Sequence, residues 1–285
     1  MDLALTWFVL LGLLLAGYAI LDGFDLGVGI IHPFLKNADK RNAAVKAIGP
    51  LWDGNEVWLV TFGGALFAAF PEAYATILSA FYLPVMLMLF CLILRAVSVD
   101  FRNKVALKFW RNCWDVGFFV SSLVATLVFG VAAGNLIQGI SLDSMRDYQG
   151  TTSDLFGLYP LAVGVLAVLT FSLHGVVFLI LKTTDTMRAA LSRRIWHFWG
   201  LFLVAYILVT IMTLVENPHV AENIKRSYWP IPVVVANVLA IANLPRTIFQ
   251  HRFGQAFISS SINIACMVVL FFFSVFPWIV ISTGP

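Results

Sequence analysis

Trp52-Asp53-Gly54-Asn55-Glu56-Val57-Trp58 stands directly before the apolar run Leu59 to Phe70. In this stretch two carboxylates, an amide and two indoles stand at the head of a segment long enough to cross a bilayer. A charge at the centre of a membrane helix costs roughly 2.5–3.5 kcal/mol on insertion scales, so such groups normally face a protein interior or a water path. The segment is therefore a candidate functional site within a membrane.

The composition of the whole chain is that of a membrane protein. It has 285 residues, of which 60% are hydrophobic and 12% charged, and its mean hydropathy of +0.90 lies outside the range of soluble domains. Lipid offers no partners to backbone polar groups, so only helices or closed barrels cross it, and apolar runs of about 20 residues have helix length. The predicted fold class is all-α: a polytopic transmembrane helix bundle forming a single domain over residues 1–285.

Eight hydrophobic spans are expected. They lie at about 3–31, 48–70, 74–97, 113–137, 156–181, 196–215, 229–244 and 256–281. The first is expected to be a retained span, because no basic region precedes it as in a signal peptide. Pro230, Pro232 and Pro245 suit the ends of the seventh span better than its interior.

The basic residues indicate how the spans are oriented. Of the 18 lysines and arginines, 15 lie in or beside the odd-numbered loops. The positive-inside rule then places these loops in the cytoplasm and the N-terminus outside. The net charge of +3 reflects this topology and gives no reason to expect a nucleic-acid partner.

Each of the first two spans carries a pair of acids three residues apart. These acids are Asp22 and Asp25, then Asp53 and Glu56. Residues at this spacing share a helix face, and the basic loop between the two spans places all four toward the cytoplasmic side. Clustered carboxylates are suited to passing protons between water and a buried site. The structural alternative is that they cap helix ends in the interface and pair with Lys46 or Arg95.

Single arginine, histidine, glycine and cysteine residues elsewhere in the spans allow predictions about individual positions. Arg95 ends the third span either as a snorkelling residue or as a counter-ion to the carboxylates. His174 is expected to be a hydrogen-bonded packing residue, since no second histidine at matching depth suggests haem. Gly130 and Gly134, like the glycines after Asp22, predict close helix packing. The three cysteines stand singly, so no disulfide or metal site is predicted.

A series of motifs runs through nearly the whole chain. It comprises Leu21-Asp22-Gly23-Phe24-Asp25-Leu26-Gly27-Val28-Gly29, the opening stretch with Gly63-Gly64-Ala65-Leu66-Phe67-Ala68, Phe101-Arg102 with Trp110-Arg111-Asn112, Gly134-Asn135-Leu136-Ile137-Gln138-Gly139, and His174-Gly175 with Leu181-Lys182-Thr183. Together these motifs resemble subunit II of the cytochrome bd-type quinol oxidases. One of them alone would not be specific.

The resemblance implies a terminal oxidase of the bacterial inner membrane that takes electrons from quinol and reduces oxygen to water. Haems b and d would belong to subunit I, the heterodimer partner, and this chain would bind no haem or metal. Small accessory subunits, quinone and membrane lipid are further expected partners. Subunit II would support assembly and supply a proton route toward the haems. On this chain that route is expected at Asp53 first, with Asp25, Asp22 and Glu56 as further candidates, while Trp58 would border an oxygen path.

Two features leave alternatives open. Members of the family usually have nine spans and a cytoplasmic C-terminus, whereas eight spans are expected here, so contacts normally made by the last helix are in question. The rival function is a proton-coupled secondary transporter using the same acids, and a third is a purely scaffolding subunit. Transporters tend to place their sites near the midplane in corresponding positions of two halves, whereas these acids cluster in the first two spans.

Overall fold

The computed structural model describes residues 3–143, 148–183, 185–226, 228 and 230–283. These residues form helices joined by short connections, with two isolated β-bridges. The helices are α1 (Leu3–Ile31), α2 (Ala38–Ile48), α3 (Trp52–Ala69), α4 (Pro71–Ala80), α5 (Tyr82–Phe101), α6 (Lys108–Gln138), α7 (Leu158–Lys182), α8 (Asp185–Glu216), α9 (Pro218–Arg226), α10 (Pro230–Phe249) and α11 (Phe253–Val275), with 3₁₀ turns at His32–Phe34 and Asp154–Phe156. The predicted all-α class is confirmed.

Seven helices within the described ranges are long and apolar enough to cross a membrane: α1, α5, α6, α7, α8, α10 and α11. The second predicted span corresponds to α3, which has only 18 residues and begins with the polar stretch around Asp53 and Glu56. Those polar residues place α3 outside this group, although it lies against α1 in the bundle. Seven candidate spans are thus found among the described residues, and the count of eight stays a prediction.

The third predicted span is not one continuous helix. Residues 74–97 are divided between α4 and α5, with the break at Phe81. Pro84, in the first turn of α5, has no N–H and its ring would clash with the carbonyl of Ala80 in an unbroken helix. The prediction of a continuous span was wrong because it counted hydrophobicity without this proline.

Several ends also differ from the prediction. Helix α8 begins at Asp185 rather than near 196, and α6 begins at Lys108 rather than near 113. Helix α11 ends at Val275 rather than near 281, because Phe276 precedes a proline and adopts an extended conformation. Helices α2 and α9 are short and polar, and span prediction did not include them.

Pro245 lies inside α10, not at its end as predicted. A proline at this position leaves the carbonyl of Ile241 without its intrahelical donor. The indole Nε1–H of Trp199 on α8 donates to that oxygen at 3.2 Å. Pro245 is tolerated inside α10 because a neighbouring helix supplies a donor to the freed carbonyl.

Helix α7 lies at the centre of the bundle and α8 at its periphery. Within the most apolar window of each helix, 67% of α7 is buried but only 11% of α8. Gly27 and Gly175 permit the crossing of α1 and α7, because a Cβ on Gly27 would lie 1.8 Å from the Phe171 carbonyl oxygen. The close packing predicted at Gly130 is confirmed against Gly164 of α7.

The connections α1–α3, α5–α6, α7–α8 and α10–α11 lie together at one end of the bundle. Contacts between them establish this: His32, after α1, meets Asp115 near the start of α6, and Arg188 of α8 lies over the ring of Phe253 at the start of α11. This end, called the basic end below, carries the 15 basic residues of the odd-numbered loops. Its assignment to the cytoplasm stays a prediction of the positive-inside rule.

Candidate functional site

Two carboxylates are completely buried on α1. Asp22 and Asp25 are each 0% exposed, although a carboxylate is almost never fully buried unless it is paired. Both lie on the part of α1 that packs within the bundle, where α3 is one of its neighbours. The i, i+3 spacing brings both acids into the packed interior of the bundle.

Arg95 of α5 is the charged partner of this pair. It is 2% exposed, and its Nη1 donates to Asp22 Oδ1 at 2.5 Å. Its Nη2 also lies 3.4 Å from Glu56 Oε1 on α3. Arg95 thus joins three helices through opposite charges, whereas Lys46, the other suggested partner, is exposed on α2 and forms no ion pair within the described residues.

Asn55 connects the second buried acid to α3. Its Nδ2 donates to Asp25 Oδ2 at 2.8 Å and to the Leu21 carbonyl at 3.2 Å. Asn55 belongs to the opening motif of the sequence but had no predicted role. Its position beside Glu56 in a largely apolar helix could have indicated a buried polar contact.

Several polar atoms of this cluster have no hydrogen-bond partner among the described residues. They are Tyr18 Oη, Asp22 Oδ2, Asp25 Oδ1, and Arg95 Nε and Nη2. Buried polar atoms in proteins nearly always have a protein or water partner. Arg95 Nη2 lies within ion-pair distance of Glu56, so the atoms that the described contacts leave over belong chiefly to the two carboxyls and to Arg95 Nε.

The four predicted acids differ in their access to the surroundings. Asp53 is exposed in the first turn of α3, Glu56 has 23% of its side chain exposed, and Asp22 and Asp25 are buried. Arg95 joins Glu56 to Asp22, and Asn55 joins α3 to Asp25, but the side chain of Asp53 has no hydrogen bond or ion pair among the described residues. The acids form a series from the exposed start of α3 to the interior of α1.

Trp58 lies one turn further along α3. Its ring packs directly over Gly17 of α1, where an added Cβ would approach the indole to 2.4 Å. The side chain is 38% exposed. The structure therefore gives Trp58 a packing contact between α1 and α3 as well as an exposed edge.

A second buried charge network lies at the basic end and was missed by sequence reasoning. Asp115 of α6 accepts hydrogen bonds from Arg102 Nε and from Arg41 Nη1, the latter at 3.1 Å, and its Oδ1 lies 2.7 Å from His32 Nε2. Arg102 also donates to Asn42. Asp115 follows the motif Trp110-Arg111-Asn112 but had no predicted role. The feature of the sequence that could have indicated this network is an acid, Asp115, near the start of a long apolar helix.

Both histidines that are buried in the described part of the chain have polar partners at Nε2. His174 Nδ1 lies 2.7 Å from Ser260 Oγ, its Nε2 lies 3.0 Å from the Ile20 carbonyl, and the ring stacks on Phe257. His32 directs its Nε2 to Asp115. The prediction of a hydrogen-bonded packing role for His174 is confirmed. Among the residues described, no group of His, Cys, Asp and Glu is arranged to hold a metal ion.

Comparison with known proteins identifies the family. The family model for cytochrome bd terminal oxidase subunit II matches residues 3–284. The chain is 34% identical to cytochrome bd-I ubiquinol oxidase subunit 2 of Escherichia coli strain K12, with 99% of this chain and 82% of the relative covered. It is 32% identical to cytochrome bd ubiquinol oxidase subunit 2 of Bacillus subtilis strain 168, with 97% and 81% covered.

A solved structure shares the fold. The bd oxidase from Geobacillus thermodenitrificans contains a chain that superposes with a TM-score of 0.79 at 20% identity, covering all of this chain and 90% of that one. The helices and the buried acids described above therefore lie in a chain that matches this one family over residues 3–284. The chain belongs to the cytochrome bd terminal oxidase subunit II family.

Proposed function

We propose that this chain is the second subunit of a quinol-oxidising, oxygen-reducing complex of a bacterial inner membrane. The ubiquinol oxidase names of its relatives support the substrate. The partner would be subunit I, and haems b and d would reside there, since neither buried histidine described here offers a free Nε2. Electron transfer would then take place outside this chain, whose own contribution is to assembly and proton supply.

The carboxylate series is proposed to carry protons from the basic end toward the partner's haems. The single observation behind this is Asp25, a completely buried carboxyl whose Oδ1 has no described partner while its Oδ2 accepts from Asn55. Oxygen reduction consumes protons, and exchange through water needs acids at increasing depth. Asp53 would receive protons, Glu56 and Asp25 would pass them inward, and Asp22 would hold Arg95 in place beside them.

The transporter alternative has less support. Its acids would need a corresponding set in the second half of the chain, and no acid is buried among the residues of α7 to α11 whose burial is described. Family membership also favours an oxidase. Trp58 beside an oxygen path remains part of the proposal and rests on its partly exposed edge against α1.

Partner and haem content are tested by purifying the tagged chain gently from its native membrane. A reduced-minus-oxidised visible spectrum and a gel of the co-purifying bands are recorded. We expect haem d absorption together with a larger second membrane subunit. Membranes that contain neither haem d nor that subunit would contradict the oxidase proposal.

The proton role is tested with Asp53→Asn and Asp25→Asn in the assembled complex. We expect normal haem content and slower quinol-driven oxygen consumption in both variants. Asp39→Asn is the matched control, because Asp39 is an exposed acid at the same end, on α2, outside the cluster. Wild-type turnover in both assembled test variants would leave the acids a structural role only.

A further inference from the structure

A shallow cavity lies at the basic end, between the α1–α2 connection and the start of α8. Its volume is about 50 Å³. Three cations border it: Lys36 and Lys40 from the α1–α2 region, and Arg194 from α8. Neither the acid series nor the Asp115 network includes this cavity.

The cations of the cavity are not neutralised by protein acids. Among the described residues, none of Lys36, Lys40 and Arg194 takes part in an ion pair. Arg194 Nη1 donates to the Phe34 carbonyl at 3.1 Å, which fixes its guanidinium at the rim and leaves its other donors available. Three positive charges therefore border one opening, and that of Arg194 is fixed by a hydrogen bond.

The floor of the cavity is apolar. Leu35, Met187 and Leu191 line it and are 4%, 3% and 5% exposed, while Phe34 at the rim is 58% exposed. A site for free phosphate would not need this apolar lining. Cations above an apolar floor match an amphiphile with an anionic head.

The exposed face of α8 continues from the cavity along the membrane span. Beyond Arg194 and His197, residues at alternating spacings of four and three form a single stripe: Leu201, Val204, Leu208, Ile211 and Val215, with exposed fractions of 57%, 58%, 56%, 54% and 72%. This helix is also the least buried of the apolar spans. An acyl chain lying on the stripe would place its headgroup at Arg194.

From this geometry we propose that the cavity bordered by Lys36, Lys40 and Arg194 binds the headgroup of an anionic phospholipid, whose acyl chain lies along α8. Basic pockets between membrane helices at the cytoplasmic face favour anionic headgroups. The predicted orientation of the basic end agrees with this. The proposal is independent of the proton route, since it shares no residue with the acid series.

The test measures lipid binding to the purified membrane complex by native mass spectrometry during titration with phosphatidylglycerol. The test variant is Lys36→Gln/Lys40→Gln/Arg194→Gln. We expect the tightest phosphatidylglycerol binding event to weaken by roughly a hundredfold, because each cation near an anionic headgroup contributes about fivefold. Phosphatidylcholine is expected to show no such event in either protein.

Two control variants accompany the test. Lys46→Gln/Lys104→Gln/Arg252→Gln removes the same charge from exposed positions at the basic end outside the cavity, and it is expected to bind like the wild type. The charge-conserving variant Lys36→Arg/Lys40→Arg/Arg194→Lys is expected to retain the event, which separates loss of charge from loss of fold.

Three outcomes would overturn the proposal. One is equal phosphatidylglycerol binding by the wild type and the glutamine test variant. Another is equal weakening in the control triple variant, which would indicate general surface charge. The third is displacement of the lipid by millimolar inorganic phosphate, which would identify a free-anion site.

Discussion

Removing Arg95 while keeping Asp22 tests the electrostatic organisation of the acid cluster. Arg95→Met retains a long side chain but leaves the completely buried Asp22 carboxylate without its cation. Breaking a buried ion pair on one side costs about 3–5 kcal/mol, because the remaining charge is left uncompensated. At roughly 2–4 °C per kcal/mol for chains of this size, the melting temperature should fall by about 10 °C.

The double variant Asp22→Asn/Arg95→Met separates the ion pair from side-chain packing. With both charges removed, more than half of the lost stability should return, because no isolated charge stays buried. The assay is the melting temperature of the purified complex in detergent, followed by tryptophan fluorescence. Arg193→Met, at an exposed position of α8, is the control and should melt like the wild type. A double variant that melts no higher than Arg95→Met would refute the argument.

Two further substitutions test how the helices pack, again by the melting temperature of the complex. Trp199→Phe removes the donor to the Ile241 carbonyl and should lower the free energy of unfolding by about 1–3 kcal/mol. Trp196→Phe, at a position that is 48% exposed, is the control and should melt like the wild type. Equal melting temperatures of the two variants would contradict the role of the Trp199 indole. Gly27→Ala places a Cβ against the backbone of α7 and should prevent assembly of the complex. Gly200→Ala, with open space around the added Cβ, is the control and should assemble normally. An assembled Gly27→Ala complex of normal stability would show that α1 and α7 do not cross in tight contact.

Hydrophobicity and charge were sufficient to predict the fold class and most helices. The apolar runs that became α1, α7 and α10 each stood between polar segments, so their approximate positions followed from composition. Composition alone did not predict where prolines interrupt helices. Pro84 breaks a uniformly apolar run, whereas Pro245 is tolerated inside α10 because Trp199 donates to the freed carbonyl. This difference depends on contacts between helices, which the sequence does not give.

The candidate site was predicted in part for a similar reason. The acids of the first two spans stood out because charges are rare in apolar helices. Their spacing along the chain gave no distances between helices, so the contact of Arg95 with both Asp22 and Glu56 required the structure. The Asp115 network was missed because its partners come from residues far apart in sequence.

The proposed proton route runs through the buried acids to the site of oxygen reduction. Proton uptake can be followed with a pH-indicator dye while the fully reduced complex reacts with oxygen. For assembled Asp25→Asn with normal haem content, we expect proton uptake slowed about tenfold or more, because a positioned proton-transfer group is lost, and we expect Asp39→Asn to be unchanged. Proton uptake at the wild-type rate in Asp25→Asn would contradict the claim.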